Sequence, residues 1–143
     1  MKAKLINDRP KTFAIIFSTG DKVVEGLTEF AKENRLAASQ LTGIGAFAEV
    51  TLGFFVPDKK SYNKIVLREQ LEVLSLVGDI TLKDGAPQLH AHVVLGRSDA
   101  TAHGGHLVEG IVRPTLEVVL TESPQHLCRA FDPESGLALI NLK

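Results

Sequence analysis

The sequence has a single cysteine, no long hydrophobic run and almost no net charge. One cysteine, Cys128, excludes an intramolecular disulfide framework, which indicates a reducing compartment. No apolar stretch approaches the roughly 20 residues that cross a bilayer, and residues 1–8 lack the apolar stretch of a signal peptide. A formal net charge of −1 gives no overall attraction to nucleic acid or acidic membranes. We therefore expect a cytoplasmic protein that does not bind membranes.

The length of the chain limits the number of domains that it can form. A chain of 143 residues is the size of one domain, and a hydrophobic content of 44% is sufficient to build a buried core. The sequence contains no linker, long internal repeat or low-complexity segment. We predict a single domain over residues 1–143.

Most of the sequence is typical of β-strands. Short apolar or alternating runs, rich in β-forming residues, are separated by glycine, proline, asparagine and aspartate. One segment differs, because Val23, Val24, Leu27, Phe30 and Ala31 recur at helical spacing. Many strands with one main helix predict an α+β fold with a mainly antiparallel β-sheet. The predicted strands are 2–6, 12–17, 37–42, 45–56, 64–67, 71–80, 88–96, 115–121, 127–131 and 137–140.

Four of the five histidines lie between residues 88 and 107. His90 and His92 are one residue apart in a predicted strand, so both imidazoles project from the same face. His106 follows two glycines, which allow the backbone to turn closely and bring it beside that pair. Neutral imidazole is a common zinc ligand, and three of them leave a fourth position open to water or a small anion. This stretch predicts a zinc site formed by His90, His92 and His106.

A purely structural interpretation of these histidines also stays open. His-x-His on an exposed strand can simply face solvent, a histidine after two glycines can be a turn residue, and the spacing matches no zinc-finger or metalloprotease motif. His103 is predicted in a solvated loop over residues 97–103, and His126 at the surface or on an edge strand. If a metal binds, Glu109 and Glu117 are candidate partners for the outer nitrogens of its histidine ligands.

No motif in the sequence identifies a catalytic centre. The glycines of segment 43–46 lack the third glycine of a dinucleotide fingerprint and predict a bend instead, and there is no phosphate-binding loop or serine-hydrolase elbow. Arg68 and Arg113 are predicted to hold an anion or to form ion pairs. A zinc ion that is held by three histidines and keeps one free coordination position can lower the pKa of a bound water to about 7. A metal-dependent hydrolase-like enzyme therefore stays open as a function, although no base or substrate pocket is identifiable.

Five motifs span nearly the whole chain: Gly43-Ile-Gly-Ala-Phe47, Leu71-Glu-Val-Leu-Ser-Leu-Val-Gly78, Leu89-His-Ala-His-Val-Val-Leu-Gly96, Gly104-Gly-His-Leu107 and Thr115-Leu-Glu-Val-Val119. In this order they closely resemble the plants and prokaryotes conserved (PPC) domain family. The resemblance implies an antiparallel-sheet α/β domain that assembles as a homotrimer. The prokaryotic single-domain form is similar to this chain in having histidines at positions 90, 92 and 106, which supports the metal site. In plants the domain follows DNA-binding AT-hook segments and mediates self-association and partner binding.

The sequence departs from the plant members in two ways. It has no Arg-Gly-Arg-Pro core of an AT-hook, and the plant motif Gly-Arg-Phe-Glu-Ile-Leu-Ser-Leu appears here as Glu69-Gln-Leu-Glu-Val-Leu-Ser-Leu76. Direct DNA binding is therefore not expected, because non-specific binding needs clustered lysine and arginine. The preferred function is a small cytoplasmic homotrimer with a three-histidine zinc site and a binding or regulatory role. The alternative is a DNA-associated, transcription-related protein that uses the domain for assembly.

Apolar sheet surface gives a second reason to expect an oligomer. A sheet rich in valine, leucine and phenylalanine leaves more apolar surface than one helix can cover. Subunit contacts are predicted to cover the remainder.

Overall fold

The computed structural model describes residues 1–142, which form nine β-strands in one sheet and one α-helix. The predicted α+β fold with a mainly antiparallel sheet is confirmed. The strands are β1 Lys2–Asp8, β2 Lys11–Ser18, β3 Ala38–Val56, β4 Ser61–Leu67, β5 Leu71–Lys83, β6 Ala86–Gly96, β7 Ala102–Glu122, β8 Cys128–Asp132 and β9 Leu137–Asn141, and the helix is α1 Val23–Asn34.

Four strands pair around a closed ring at the centre of the molecule. Strand β3 is antiparallel to β5 and β7, β5 pairs with β6, and the end of β6 pairs with the start of β7. Strand β2 extends the sheet from β7, β1 pairs with β2, and β4 pairs with β3. The β8–β9 hairpin joins β5 through the single parallel bridge between Leu82 and Cys128. Strands β3, β5, β6 and β7 therefore form a closed ring, and the remaining strands extend from it.

Strand β3 joins two segments that the sequence predicted as separate strands. The predicted bend at 43–46 is a β-bulge, where the pairing with β5 shifts register between Gly43 and Gly45, and the strand continues through it. At Gly45 a Cβ atom would lie 2.3 Å from the carbonyl oxygen of Thr115. Glycine is therefore required for the close approach of β3 to β7.

Strand β7 is also longer than predicted, because it begins at Ala102 rather than at residue 115. The prediction that His103 lies in a loop is wrong, since His103 pairs with Leu95 of β6, although its side chain is exposed. Backbone hydrogen bonds hold this end of the strand, and they do not need the apolar alternation on which the prediction relied.

Helix α1 covers the inner face of the sheet with the apolar side chains that its spacing predicted. Val23, Leu27, Phe30 and Ala31 are buried, and the ring of Phe30 meets that of Phe13 edge-on, with centroids 5.1 Å apart. This packing closes one side of the core.

The opposite face of the sheet carries a row of exposed apolar side chains. Directly paired residues of adjacent strands project to the same side, as do alternate residues of one strand. His92 is paired with Val77, so the two side chains lie on the same face. Thr42 is paired with both Val77 and Val119, which places Val119 on that face as well. We call this surface the outer apolar face, and its exposed members are Ile16, Ile44, Val77, Val94 and Val119.

None of the helical structure within residues 1–142 is long and apolar enough to span a membrane.

Candidate metal centre

Strands β6 and β7 bring His90, His92 and His106 together. His92 and His106 are directly paired across the two strands. One nitrogen of each ring lies within 4.8 Å of the corresponding nitrogens of the other two, and the ring centroids are 5.2 to 5.4 Å apart. The three ring nitrogens are therefore close enough together to hold a metal ion.

The two glycines before His106 allow β7 to approach its neighbours closely. A Cβ atom at Gly104 would lie 2.9 Å from the carbonyl oxygen of Val93, and one at Gly105 would lie 3.1 Å from that of Gly53. Larger residues would push β7 away from both β6 and β3. The glycines thus set the position from which His106 reaches the other two histidines.

The chemistry of the cluster fits a metal ion. The Nδ1 atom of His106 is buried and has no hydrogen-bond partner within residues 1–142, whereas buried polar atoms are normally paired. Burial, followed by the proximity of His90, lowers the pKa of both His92 and His106. Both rings are therefore neutral near pH 7, which is the state that binds metal. The ring of Tyr62 stacks on His106 with centroids 4.7 Å apart and fixes its plane.

Asp79 of β5 is directly opposite His90, and its carboxylate lies beside the His90 ring. Its Oδ2 atom lies 3.7 Å from His90 Nδ1, and its Oδ1 atom accepts a hydrogen bond of 2.7 Å from Arg129 Nη2. Burial opposes ionisation of Asp79, but the contacts with His90 and Arg129 outweigh it and lower the pKa. A carboxylate beside a histidine ligand is the usual device for fixing the orientation of that ligand.

Arg129 ties the β8–β9 hairpin to this arrangement. Its side chain is 7% exposed, and it donates hydrogen bonds of 2.8 Å to Thr81 Oγ1 and 2.9 Å to the carbonyl oxygen of Ala138. Its Nη2 atom also lies 3.4 Å from His90 Nδ1. Arg129 therefore links β5, β6 and β9 at the edge of the histidine cluster.

The prediction that Glu109 or Glu117 would contact the histidines is wrong. Glu109 accepts hydrogen bonds from the backbone nitrogens of Val24 and Glu25, so it caps helix α1. Glu117 lies eleven residues along β7 from His106, which is too far for contact at about 3.3 Å per residue.

The other candidate residues from the sequence lie outside the cluster of His90, His92 and His106. Arg68 forms an ion pair with Glu49 at 3.2 Å, and the side chain of Arg113 is exposed. His126 is exposed between β7 and β8, as expected for a surface residue, and Cys128 is an exposed residue of β8.

Two spaces border the histidines. An open hollow of about 540 Å³, on the outer apolar face, is lined by His92, His106 and Phe54 among others. A smaller cavity of about 180 Å³ is lined by His106 together with His90 and Arg129. Both spaces therefore adjoin the histidine cluster.

Comparison with known families gives one extended match. The model of the Plants and Prokaryotes Conserved (PCC) domain, the family abbreviated PPC above, matches residues 7–124. A search among curated proteins finds no significant match.

Several solved structures are similar along nearly their full length. A PPC protein from Pyrococcus horikoshii is 33% identical, with a TM-score of 0.85, and the match covers 98% of this chain and 94% of that one. A metal-containing protein from Archaeoglobus fulgidus is 33% identical, with a TM-score of 0.85 and coverage of 98% and 96%. A presumed DNA-binding protein from Bacteroides thetaiotaomicron is 31% identical, with a TM-score of 0.92 and coverage of 98% and 96%.

Proposed function

This chain belongs to the Plants and Prokaryotes Conserved domain family, and on that basis we propose that it is a cytoplasmic, homotrimeric zinc-binding protein. His90, His92 and His106 hold one zinc ion in each chain, and water or a small anion completes its coordination. The protein acts by binding a ligand at this open position, in a binding or regulatory role. The observation that carries the proposal is the clustering of three ring nitrogens within 4.8 Å of one another.

The donor set supports zinc as the metal. Three neutral imidazoles with one open position form a common zinc site, and the bound ion supplies a positive charge and a Lewis acid. The unpartnered Nδ1 atom of His106 and the carboxylate of Asp79 beside His90 are further features of a histidine metal site. The similarity to the metal-containing protein from Archaeoglobus fulgidus supports a metal site at this position, whatever the metal.

Metal analysis of protein purified without an affinity tag tests the site. We expect about one zinc per chain in the wild type and a large loss in His92→Ala. His103→Ala is the matched control, because His103 lies on the same hairpin with an exposed side chain outside the cluster. Equal zinc content in the wild type and His92→Ala would contradict the proposed site.

The outer apolar face supports the homotrimer. Ile44 is 61% exposed and Val77 and Val119 are each 48% exposed, so these neighbouring strands present apolar surface to solvent in the isolated chain. Burial of this face between subunits would remove it from water. Light scattering should give three times the chain mass at micromolar concentration, and a monomer mass would refute the assembly.

Association with DNA is the second candidate, because the similar Bacteroides thetaiotaomicron protein is presumed to bind DNA. The formal net charge of −1 opposes direct contact with the phosphate backbone. A gel-shift experiment at two salt concentrations decides between the candidates. Binding that weakens steeply with salt would favour direct DNA contact, and no shift at either concentration would favour the metal-centred role.

A further inference from the structure

The open hollow beside the histidines, which we call the outer hollow, is continuous with the outer apolar face. Its volume is about 540 Å³, and Val77 and Val94 of that face line it. Phe54 and two of the candidate metal ligands, His92 and His106, also line it. His92 is paired with Val77, and Val94 follows His92 by two residues, so all three side chains project to one side of the sheet. The candidate metal site therefore lies at one end of the apolar surface.

The three histidines differ in the contacts that the chain provides for their rings. The carboxylate of Asp79 lies 3.7 Å from His90, and the ring of Tyr62 stacks on His106. The side chain of His92 is exposed, and no hydrogen bond or ion pair holds it within residues 1–142. A histidine that binds a metal normally has its other ring nitrogen held by a carboxylate, a carbonyl or water. In the described part of the chain, His92 is therefore a candidate ligand without such support.

The centre of the outer apolar face is a row of uncharged, exposed side chains. The register places Val119, Thr42, Val77 and His92 side by side on four neighbouring strands. Two copies of a chain with a formal net charge of −1 repel each other only weakly. Burial of this row against a second copy brings no like charges together and removes apolar side chains from water. A second copy of the chain is therefore a suitable occupant of the face.

The size of a subunit interface extends the contact to the histidines. A standard interface covers about 800 Å² on each partner, which corresponds to a disc of roughly 16 Å radius. Thr42 lies in the middle of the row, and His92 is two strands away from it. At about 4.8 Å between neighbouring strands, that separation is about 10 Å. A subunit that is centred on the outer apolar face therefore also covers His92 and the outer hollow.

We propose that a second copy of the chain packs over the outer hollow, holds the side chain of His92 and so couples zinc binding to assembly. An exposed side chain loses rotamer freedom when it binds a metal, and a subunit that already holds the side chain removes that cost. The assembled protein therefore binds zinc more tightly than the single chain does. By linkage, bound zinc also strengthens the assembly. This inference rests on the proposed zinc site and homotrimer.

Val119→Glu tests the coupling from a position outside the outer hollow. The new carboxylate would be buried without a partner between subunits, but it would be exposed on a single chain. Light scattering should give the mass of a monomer, and competition with a chelating dye should give a zinc affinity about 10- to 100-fold lower than that of the wild type.

Leu5→Glu is the matched control, because Leu5 is 44% exposed and Val119 is 48% exposed. Leu5 is paired with the buried Phe13, so its side chain projects to the side of the sheet opposite the outer apolar face. This variant should keep the mass of the trimer and the zinc affinity of the wild type.

The wild type tests the coupling without any substitution, which keeps the proposal testable if Val119→Glu does not fold. Light scattering over a dilution series compares zinc-loaded protein with protein stripped by a chelator. The stripped protein should dissociate at a higher concentration than the zinc-loaded protein. Dissociation at the same concentration would contradict the coupling.

Mass and zinc content are measured in the same samples, so that each part of the proposal fails separately. A monomeric Val119→Glu protein with wild-type zinc affinity would overturn the coupling and leave the zinc site intact. A trimeric Val119→Glu protein would place the subunit interface elsewhere and overturn the inference. A wild type that binds zinc as a monomer would overturn the second copy as the occupant and leave the face to another partner. A wild type that takes up no zinc would overturn the metal site and this inference with it.

Discussion

Asp79 and His90 are directly paired across β5 and β6, with Asp79 Oδ2 3.7 Å from His90 Nδ1. Arg129 donates a hydrogen bond to the other carboxylate oxygen. Asp79 is thus held from one side by Arg129 while it faces a candidate metal ligand on the other. Arg129, from a distant part of the chain, therefore holds the carboxylate that lies beside His90.

Asp79→Asn should weaken zinc binding by about 10- to 100-fold, because an amide holds the His90 ring less strongly than a carboxylate does. Competition with a chelating dye measures this affinity. Asp84→Asn is the matched control, since Asp84 is an exposed turn residue with φ 52°, a conformation that asparagine also adopts. An Asp79→Asn protein with wild-type zinc affinity would show that Asp79 does not support the site.

The sequence contains a signal for the pairing of Asp79 with His90 in the hairpin turn that joins their two strands. Asp84 and Gly85 form a two-residue hairpin turn, both with positive φ, between the paired residues Lys83 and Ala86. An Asp-Gly turn of this kind fixes the register of the strands that it joins. Counting back from the turn on both strands places Asp79 opposite His90.

The local sequence was sufficient to predict some other parts of the site, but not all of them. Strand alternation was sufficient to put His90 and His92 on one face, and the two glycines explained the return of His106. Arg129 could not be found in this way, because its position depends on the single bridge between Leu82 and Cys128. No local pattern specifies a contact between segments so far apart in the chain.

Arg129→Met should destabilise the protein by about 2–4 kcal/mol, because it leaves the partly buried carboxylate of Asp79 without its partner. Urea unfolding at a fixed protein concentration measures the change. The double variant Asp79→Asn with Arg129→Met should lose less stability than the sum of the two single variants, since they disrupt one interaction. Additive losses would indicate that the two residues stabilise the fold independently.

Gly45→Ala should destabilise the fold by about 3 kcal/mol or more, because its Cβ atom would lie 2.3 Å from the carbonyl oxygen of Thr115. Gly85→Asn is the control, since nothing lies within 4 Å of a Cβ atom there and asparagine tolerates its positive φ. Thermal unfolding compares the two variants. A Gly45→Ala protein as stable as the control would mean that β3 and β7 are not in close contact at the bulge.

Glu109→Ala should cost about 1 kcal/mol of stability, because it removes the carboxylate that caps helix α1. Its zinc affinity should remain that of the wild type, since Glu109 bonds to the helix rather than to the histidines. Chemical denaturation and zinc titration of the same preparation give both values. A marked fall in zinc affinity with little loss of stability would restore Glu109 as a partner of the metal ligands.

The local environment of the bound metal is the most direct test of the central claim. X-ray absorption fine structure of the zinc-loaded protein should show three imidazole nitrogens at about 2.0–2.1 Å from the metal, with one oxygen donor completing the shell. His106→Ala should lose one imidazole from this shell. A first shell that contains sulfur, or one of oxygen atoms without imidazole scattering, would contradict coordination by His90, His92 and His106.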